Sequence, residues 1–350
     1  MSEETKPVAK AKRPPPKDRG VLVHLGILVV AGVAAFTLWT RDKDIKPLGS
    51  GDVTVWPGRP ADVKRVSYEG KSKKVTLEAK HDDKGDYFTG TSERDAAAPK
   101  PGADAGATSE KPAEAKTTTP LLSVGEGQKL FESFAPFKAL RDLGKVGDDR
   151  AKEFGLDAPE GTITVDVGGT EHKLIVGGSI PGSGDRFVKE AASGEVYAIK
   201  GDLFRDLESA DSRLVERDLH EWKDNDVQTV TLTAAGKTRE IVRGGAEGKR
   251  FWADKATRET NDETFGNWMS KLERLRPTEF VVAAPAKLET VLRLDFAAGR
   301  PIGFLELAKA PGKDEGKSDY FVKSERTRLW AKVAAPNAEP VEQDLAGVIK

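Results

Sequence analysis

The chain has 350 residues, 37% of them hydrophobic and 32% charged, which is enough for two folded domains because single cores rarely exceed about 250–300 residues. Its 56 basic and 57 acidic side chains nearly cancel. The chain therefore lacks the strong positive field that attracts nucleic acid, and we expect no nucleic-acid partner. The absence of cysteine excludes disulfides, thiolate metal sites and a thiol nucleophile.

The chain begins with a basic, proline-rich stretch, residues 1–20, that we expect to be a cytoplasmic tail. Residues 21–40 (VLVHLGILVVAGVAAFTLWT) contain no Asp, Glu, Lys or Arg. As a helix they would rise about 30 Å, which matches the hydrocarbon core of a bilayer. Six Lys or Arg residues lie in the twenty positions before this stretch and four in the twenty after it, so the positive-inside rule places the N-terminus in the cytoplasm.

This pattern predicts a single-pass transmembrane helix at residues 21–40, with the bulk of the chain on the non-cytoplasmic side of the membrane. The competing interpretation is a signal peptide that is cleaved near Ala35. The apolar run continues through Phe36 and Trp39, where a cleaved signal would have become polar, so an uncleaved anchor is favoured.

Three alternating, β-rich stretches come next, at residues 63–70, 73–81 and 86–93. Residues 95–120 are dominated by Ala, Pro, Lys, Glu and Thr and have almost no large apolar residue to bury, so we expect a disordered insertion there. An amphipathic helix is predicted over residues 127–144. A strand meander follows, and the short helical phrase GDLFRDLE closes this part of the chain.

The same order of elements occurs a second time. Strands are predicted at residues 227–236, 237–245 and 249–254, a helix at 263–276, and then a second meander and a closing helical phrase. Three pairs of aromatic residues share an offset of 134 positions: Phe131 and Phe265, Phe134 and Trp268, Phe187 and Phe321. This repeated order of elements and residues indicates an internal duplication.

The predicted fold class is α+β, with an N-terminal transmembrane helix followed by two tandem, duplicated modules of antiparallel strands and helices. The first module spans residues 50–222, including the insertion at 95–120, and the second spans residues 223–350. The two should join near residues 212–226.

The sequence nominates no catalytic residue, no cofactor-binding residue and no metal ligand. The stretch at 243–252 has Arg where a phosphate loop needs Gly and again where it needs Ser or Thr, so it is predicted to be a hairpin turn, as is GGSIPGSGDR at 177–186. The HEWKD motif has Asp224 where a zinc-protease helix needs its second histidine. Packing or surface roles are expected for His81, His172 and His220, and no cofactor is expected.

Two other classes of function remain open. Dispersed acidic residues are compatible with a cell-envelope hydrolase that uses carboxylates, although no particular pair stands out. A carbohydrate- or peptide-binding module would use an exposed row of aromatic rings, but the positions of the Trp and Tyr residues favour packing in the core. They are Trp56, Trp222, Trp252, Trp268, Trp330, Tyr87, Tyr197 and Tyr320.

Residues 150–222 resemble the bacterial domain-of-unknown-function family 4340 (DUF4340). The likeness rests on FGLDAP before a strand, on L-x-V-G at 174–177, on the strand RFVK, and on VYAI before a short helix. It extends more weakly past residue 226. The resemblance implies an envelope protein that is anchored in the bacterial inner membrane, has the bulk of its chain in the periplasm, and accompanies gliding-motility-type ABC transport systems. We therefore expect a non-catalytic binding or scaffold protein with a protein partner in the envelope.

Overall fold

The computed structural model describes residues 52–95, 116–246, 249–312, 314 and 316–349. Residues Gly51–Lys350 form one compact unit. The predicted tail and the predicted transmembrane helix lie outside the described residues, and so does most of the predicted insertion. Within the described ranges, no helix combines the length and the apolar character needed to cross a bilayer.

The first half of the described chain contains eleven strands and four short helices. The strands are β1 (Val53–Trp56), β2 (Val63–Gly70), β3 (Lys73–Asp82), β4 (Gly85–Asp95), β5 (Lys116–Ser123), β6 (Phe137–Ala139), β7 (Arg141–Lys145), β8 (Gly161–Val167), β9 (Thr170–Ser179), β10 (Arg186–Glu190) and β11 (Glu195–Ile199). The helices are α1 (Gly125–Glu132), α2 (Asp148–Ala151), α3 (Gly201–Glu208) and α4 (Ala210–Arg213).

The second half contains eight strands and two helices. They are β12 (Thr229–Ala234), β13 (Lys237–Gly244), β14 (Phe251–Asp254), α5 (Glu263–Leu272), β15 (Glu279–Val281), β16 (Glu289–Ala297), β17 (Pro301–Pro311), β18 (Ser318–Ser324), β19 (Trp330–Val333) and α6 (Ala335–Val348). A turn of 3-10 helix precedes the first long strand of each half, at Pro60–Asp62 and at Asp224–Asp226.

Each half is built around one large antiparallel sheet. The first has nine strands in the order β5-β4-β3-β2-β8-β9-β10-β11-β7, and the second has eight in the order β14-β13-β12-β16-β17-β18-β19-β15. Apart from the additional edge strand β5, the two orders correspond strand for strand. A separate ribbon pairs β1 with β6. The fold is thus a mixed α/β architecture dominated by antiparallel sheets, as the sequence predicted at this coarse level.

Buried and exposed side chains alternate along the strands, and the buried ones form two hydrophobic cores. In β2 and β12, for example, Val66 and Val230 are both fully buried, while their neighbours along the strand are exposed or half-buried. Phe131 of α1 and Phe134, which follows the end of α1, belong to the first core, and Phe265 and Trp268 of α5 belong to the second.

Strand β5 contributes to both cores. The side chain of Leu121 lies in the first core and that of its neighbour Leu122 lies in the second, and both are almost completely buried. Successive residues of a strand point to opposite faces, so a single edge strand forms a wall between the two cores.

Two predicted boundaries were wrong. The helix predicted over residues 127–144 ends at Glu132, because Pro136 disfavours helical geometry in the residue before it, and Phe137 then enters strand β6. Strand β5 begins at Lys116, inside the segment predicted to be a disordered insertion, and pairs along its length with β4. Its threonines suit an edge strand, which needs little apolar surface.

Candidate functional site

The structure places the most elaborate cluster of charged residues where the two halves meet. The connecting segment, residues 214–228, runs from the end of α4 to the start of β12. It contains no regular element except the short turn at Asp224–Asp226. The motif HEWKD is therefore not helical over His220–Lys223, and it cannot present side chains as a zinc-protease helix does.

A groove of about 460 Å³ lies beside the connecting segment. We call it the joint groove and define it by Lys84, Glu221, Trp222, Arg293, Asp295, Phe304, Glu325, Arg326 and Arg328. Lys84 comes from the β3–β4 hairpin of the first half, Arg293 and Asp295 from β16, and Phe304 from β17. Glu325, Arg326 and Arg328 lie in the turn between β18 and β19. Both halves therefore form the groove.

One arginine links the halves directly. Arg328 donates two hydrogen bonds to the Asp82 carboxylate, from Nε to Oδ2 at 2.9 Å and from Nη2 to Oδ1 at 3.1 Å. Its guanidinium also lies 4.7 Å from the ring centroid of Tyr87. The backbone of Arg328 has a φ of 54°, in the left-handed region that residues with a side chain rarely adopt. The bidentate pair and the tight turn thus hold this side chain against the first half.

Glu325 connects the turn to the connecting segment. Its Oε2 accepts a hydrogen bond from the Phe304 backbone N–H at 2.8 Å, and its Oε1 lies 2.8 Å from Nδ1 of His220. Gly303 makes this approach feasible, because a β-carbon at that position would lie only 2.5 Å from the Glu325 carboxyl group. The imidazole of His220 also stacks on Trp222 at 4.1 Å. This carboxylate is buried but has donors on both sides.

The remaining cations of the groove differ in how far they are neutralised. Arg326 forms ion pairs with Glu216 at 2.9 Å and with Glu221 at 3.2 Å, yet its Nε has no hydrogen-bond acceptor among the described residues. Lys84 lies over the ring of Phe304 at 5.2 Å, its backbone N–H donates to the Asp82 carboxylate, and its charge also acts on that carboxylate. The groove therefore contains one buried donor, the Arg326 Nε, that no described residue satisfies, and one exposed ammonium group, that of Lys84.

The other two histidines have local partners. His81 Nδ1 lies 2.7 Å from the Asp86 carboxylate on an exposed hairpin, and His172 stacks on Trp56 at 4.3 Å. No group of three metal-ligating side chains occurs within the part of the chain that the structure describes. The two glycine-rich stretches join β9 to β10 and β13 to β14, so the prediction of hairpin connections is confirmed.

The aromatic residues mostly pack as expected. Trp56, Trp252, Trp268, Tyr197 and Tyr320 are buried. Among the residues that the structure covers, Val282 is the one large apolar side chain that is strongly exposed. The prediction that most of these rings form core rather than a sugar-binding face is confirmed for the five buried rings.

The sequence did not identify the charged turn that shapes the groove. The two Phe-Val-Lys strands were recognised as an echo, but they continue differently, with EAASG after the first and SERTR after the second. This difference was the available signal. The second copy has three charged residues in its tight turn, whereas the first copy has a single glutamate at the corresponding place. Their partners remained hidden because Asp82 and Arg328 are 246 residues apart.

We expect Arg328→Ala to lower the free energy of unfolding by about 2 kcal/mol, because it leaves a partly buried carboxylate without its charged donor. Asp82→Ala should cost a similar amount, and the double variant little more than either single one. The matched control is Glu126→Ala, which breaks an exposed pair with Lys129 and should cost less than about 1 kcal/mol. Urea unfolding of the four variants measures the coupling, and additive single effects would contradict the linkage.

The pair of Asp82 and Arg328 also predicts how the free energy of unfolding depends on pH. Hydrogen bonds from Arg328 lower the pKa of Asp82 below its ordinary value. A lowered pKa contributes stability that is fully present above the unfolded pKa, about 3.9, and that is lost as the pH falls through the folded value. The stability difference between the wild type and Asp82→Asn should therefore be constant at neutral pH and shrink below about pH 4.

Comparison with known families gave one match. The family model described as Domain of unknown function (DUF4340) matches residues 129–295, from within α1 to β16. The match covers the connecting segment and parts of both sheets. No curated protein and no solved structure matches the chain.

Proposed function

Because residues 129–295 carry a domain of the DUF4340 family, as the sequence resemblance indicated, we propose that the chain is a non-catalytic, membrane-tethered envelope protein that binds a protein partner through its joint groove. The observation that carries this proposal is the groove itself, which draws its lining from both halves and from the segment between them. The exposed ammonium group of Lys84 at its rim suits backbone carbonyls or carboxylates of a partner.

The tether in this proposal is the apolar stretch at residues 21–40, with the tail at 1–20 in the cytoplasm and the folded body in the periplasm. Its support is the absence of charge over twenty residues and the excess of Lys and Arg before it. An anchor of this kind raises the effective concentration of the body at the membrane surface, so that even a weak contact with a membrane complex is occupied.

We also propose that the body arose by internal duplication, with modules at residues 50–222 and 223–350. Three observations support this origin. The strand orders of the two sheets correspond, a 3-10 turn precedes β2 and β12 alike, and aromatic pairs recur 134 residues apart. The joint groove is lined by residues of both modules, so a single module could not form it. The duplication would therefore have created a new binding surface.

The partner class that we favour is a membrane transport complex, such as a gliding-motility-type ABC transporter, by the family association stated above. A site-specific photo-crosslinking experiment on the full chain in native membranes tests this. The photoreactive residue replaces Glu221, whose side chain is 58% exposed at the rim of the joint groove. The control position is Glu171, an exposed residue on β9.

The expected result is a crosslink from position 221 to a membrane transport subunit, identified by mass spectrometry, and none from position 171. A chain that lacks residues 1–40 should appear in the soluble fraction and lose the crosslink. Equal crosslinking from both positions, or none from position 221, would contradict a binding role for the groove. Release of cell-wall fragments by the purified chain would favour the hydrolase alternative instead.

A further inference from the structure

Trp222 also lines a second cavity, which has a volume of about 430 Å³ and lies between the connecting segment, the end of α5 and β16. We call it the α5 pocket. Its apolar lining includes Val227, Met269, Leu272 and Phe296, all of which belong to the second core and are exposed only where they line the pocket. An apolar lining with a few polar groups at the rim is the usual composition of a binding pocket.

The rim of the α5 pocket carries three acidic side chains, and two of them form no ion pair with a described residue. The carboxylates of Asp218 and Glu273 have no hydrogen bond and no ion pair within the described residues. Arg276, the cation at the rim, donates to the backbone carbonyls of Glu273 and Leu275 rather than to a carboxylate. The third acid, Asp224, is paired with Arg243.

The electrostatic state of Glu273 agrees with this imbalance. Partial burial of its carboxyl group, followed by the charge of Asp224, raises the pKa of Glu273, although Arg243 and Arg276 act in the opposite direction. A carboxylate held beside apolar side chains and a like charge is stabilised by any cation that approaches it.

The first half of the molecule is packed differently at the corresponding place. Gly58 stands five residues before Val63, as Trp222 stands five residues before Val227. At Gly58 the chain lies so close to the end of α1 and to β8 that a β-carbon would be 3.0 Å from Ala135 and 3.1 Å from Val167. Nearby, Trp56 stacks on Phe137 at 4.3 Å and donates its indole N–H to the Phe134 carbonyl at 2.8 Å.

In the second half the chain does not close in this way. The bulky Trp222 replaces the close glycine, and its indole N–H has no acceptor among the described residues. Aromatic stacking and a buried hydrogen bond thus hold Trp56 in the first core, whereas Trp222 lies at the edge of the α5 pocket.

We propose that the α5 pocket receives a basic side chain of the partner protein, Arg or Lys, together with an adjacent apolar side chain. The carboxylates of Glu273 and Asp218 complement the cation, and Met269, Leu272 and Phe296 contact the apolar neighbour. Arg has the better shape, because its planar guanidinium stacks on an indole such as that of Trp222 and binds a carboxylate with two hydrogen bonds. This inference rests on the proposed function, since it specifies the partner that the joint region recognises.

The test is calorimetric titration of the full chain in lipid nanodiscs with two peptides, acetyl-Ala-Leu-Arg-Ala-amide and acetyl-Ala-Leu-Glu-Ala-amide. Titration into empty nanodiscs gives the background. The arginine peptide should bind with a Kd of about 0.1–1 mM and the glutamate peptide at least about tenfold more weakly, since replacing a complementary charge by a like charge at the pocket rim changes affinity by roughly that factor.

The decisive variant is Glu273→Lys, which reverses the charge at an exposed rim position and should reverse the preference between the peptides. The matched control is Glu259→Lys, an exposed acidic residue in the loop before α5, which should leave the preference unchanged. Equal affinity for both peptides, no binding of the arginine peptide up to about 5 mM, or an unchanged preference in Glu273→Lys would overturn the proposal.

Photo-crosslinking from position 221 in the Glu273→Lys chain separates this inference from the function on which it rests. If crosslinking to the partner is reduced at least about tenfold in that variant but not in Glu259→Lys, the pocket takes part in recognition. If the titrations fail while the crosslink persists unchanged, the α5 pocket is excluded and the tethered binding protein stands. If the chain with an unaltered pocket gives no crosslink from position 221, the proposed function itself is contradicted.

Discussion

Trp268→Ala is expected to lower the free energy of unfolding by about 3–5 kcal/mol, which is a large part of the stability of a typical domain. Trp268 is 1% exposed and packs in the second core between α5 and α6. Its indole N–H donates to the Val341 carbonyl at 2.9 Å, so the substitution removes both a large apolar contact and a buried hydrogen bond. Urea denaturation of the full chain, followed by circular dichroism, measures the loss.

Two further variants separate these contributions. Trp268→Phe keeps most of the apolar contact and loses only the donor, and we expect it to cost about 1–2 kcal/mol. Trp330→Ala removes the same type of side chain from a half-buried position on β19 and should cost about 1 kcal/mol. If Trp268→Ala were no more destabilising than Trp330→Ala, the assignment of Trp268 to the centre of the second core would be wrong.

Leu122→Ala should lower the free energy of unfolding by about 2–4 kcal/mol and should loosen the second half, although Leu122 lies on an edge strand of the first sheet. The reason is that its fully buried side chain belongs to the second core, whereas that of Leu121 belongs to the first. Hydrogen exchange distinguishes the two effects. Leu122→Ala should first speed exchange of the buried amides in β12 and β16, and Leu121→Ala those in β2 and β8.

Thr118→Ala is the matched control for both leucine variants. Thr118 lies on the same strand, pairs with Glu93 of β4 and is exposed, so its loss should change stability by less than about 0.5 kcal/mol. Identical exchange patterns for Leu121→Ala and Leu122→Ala would show that the two cores respond as one, and would contradict the division of roles along β5.

The strands were the part of the fold that the sequence predicted well. The stretch VKRVSYEG was predicted as a strand with the bounds that β2 has, because alternating burial leaves a period of two in the sequence. The end of α1 was predicted wrongly because the aromatic spacing of Phe131, Phe134 and Phe137 suggested one helical face. Pro136 ended the helix, and Phe137 entered the core from a strand.

The candidate site was predictable only in outline. The join near residues 212–226 followed from the repeat, but the joint groove depends on contacts between residues that are far apart in sequence, such as Asp82 with Arg328. Local patterns carry no information about which carboxylate an arginine will reach after folding. The single signal, the charged turn SERTR after a shared strand, indicates an unusual place without indicating its partners.

The close approach of Gly303 to Glu325 has a consequence for how the chain tolerates change. One missing carbon atom at position 303 provides the space in which a buried anion sits between an imidazole and a backbone amide. The size of residue 303 and the length of residue 325 are therefore bound to vary together. A homologue with alanine at position 303 would need a shorter or an uncharged side chain at position 325 to form the same turn.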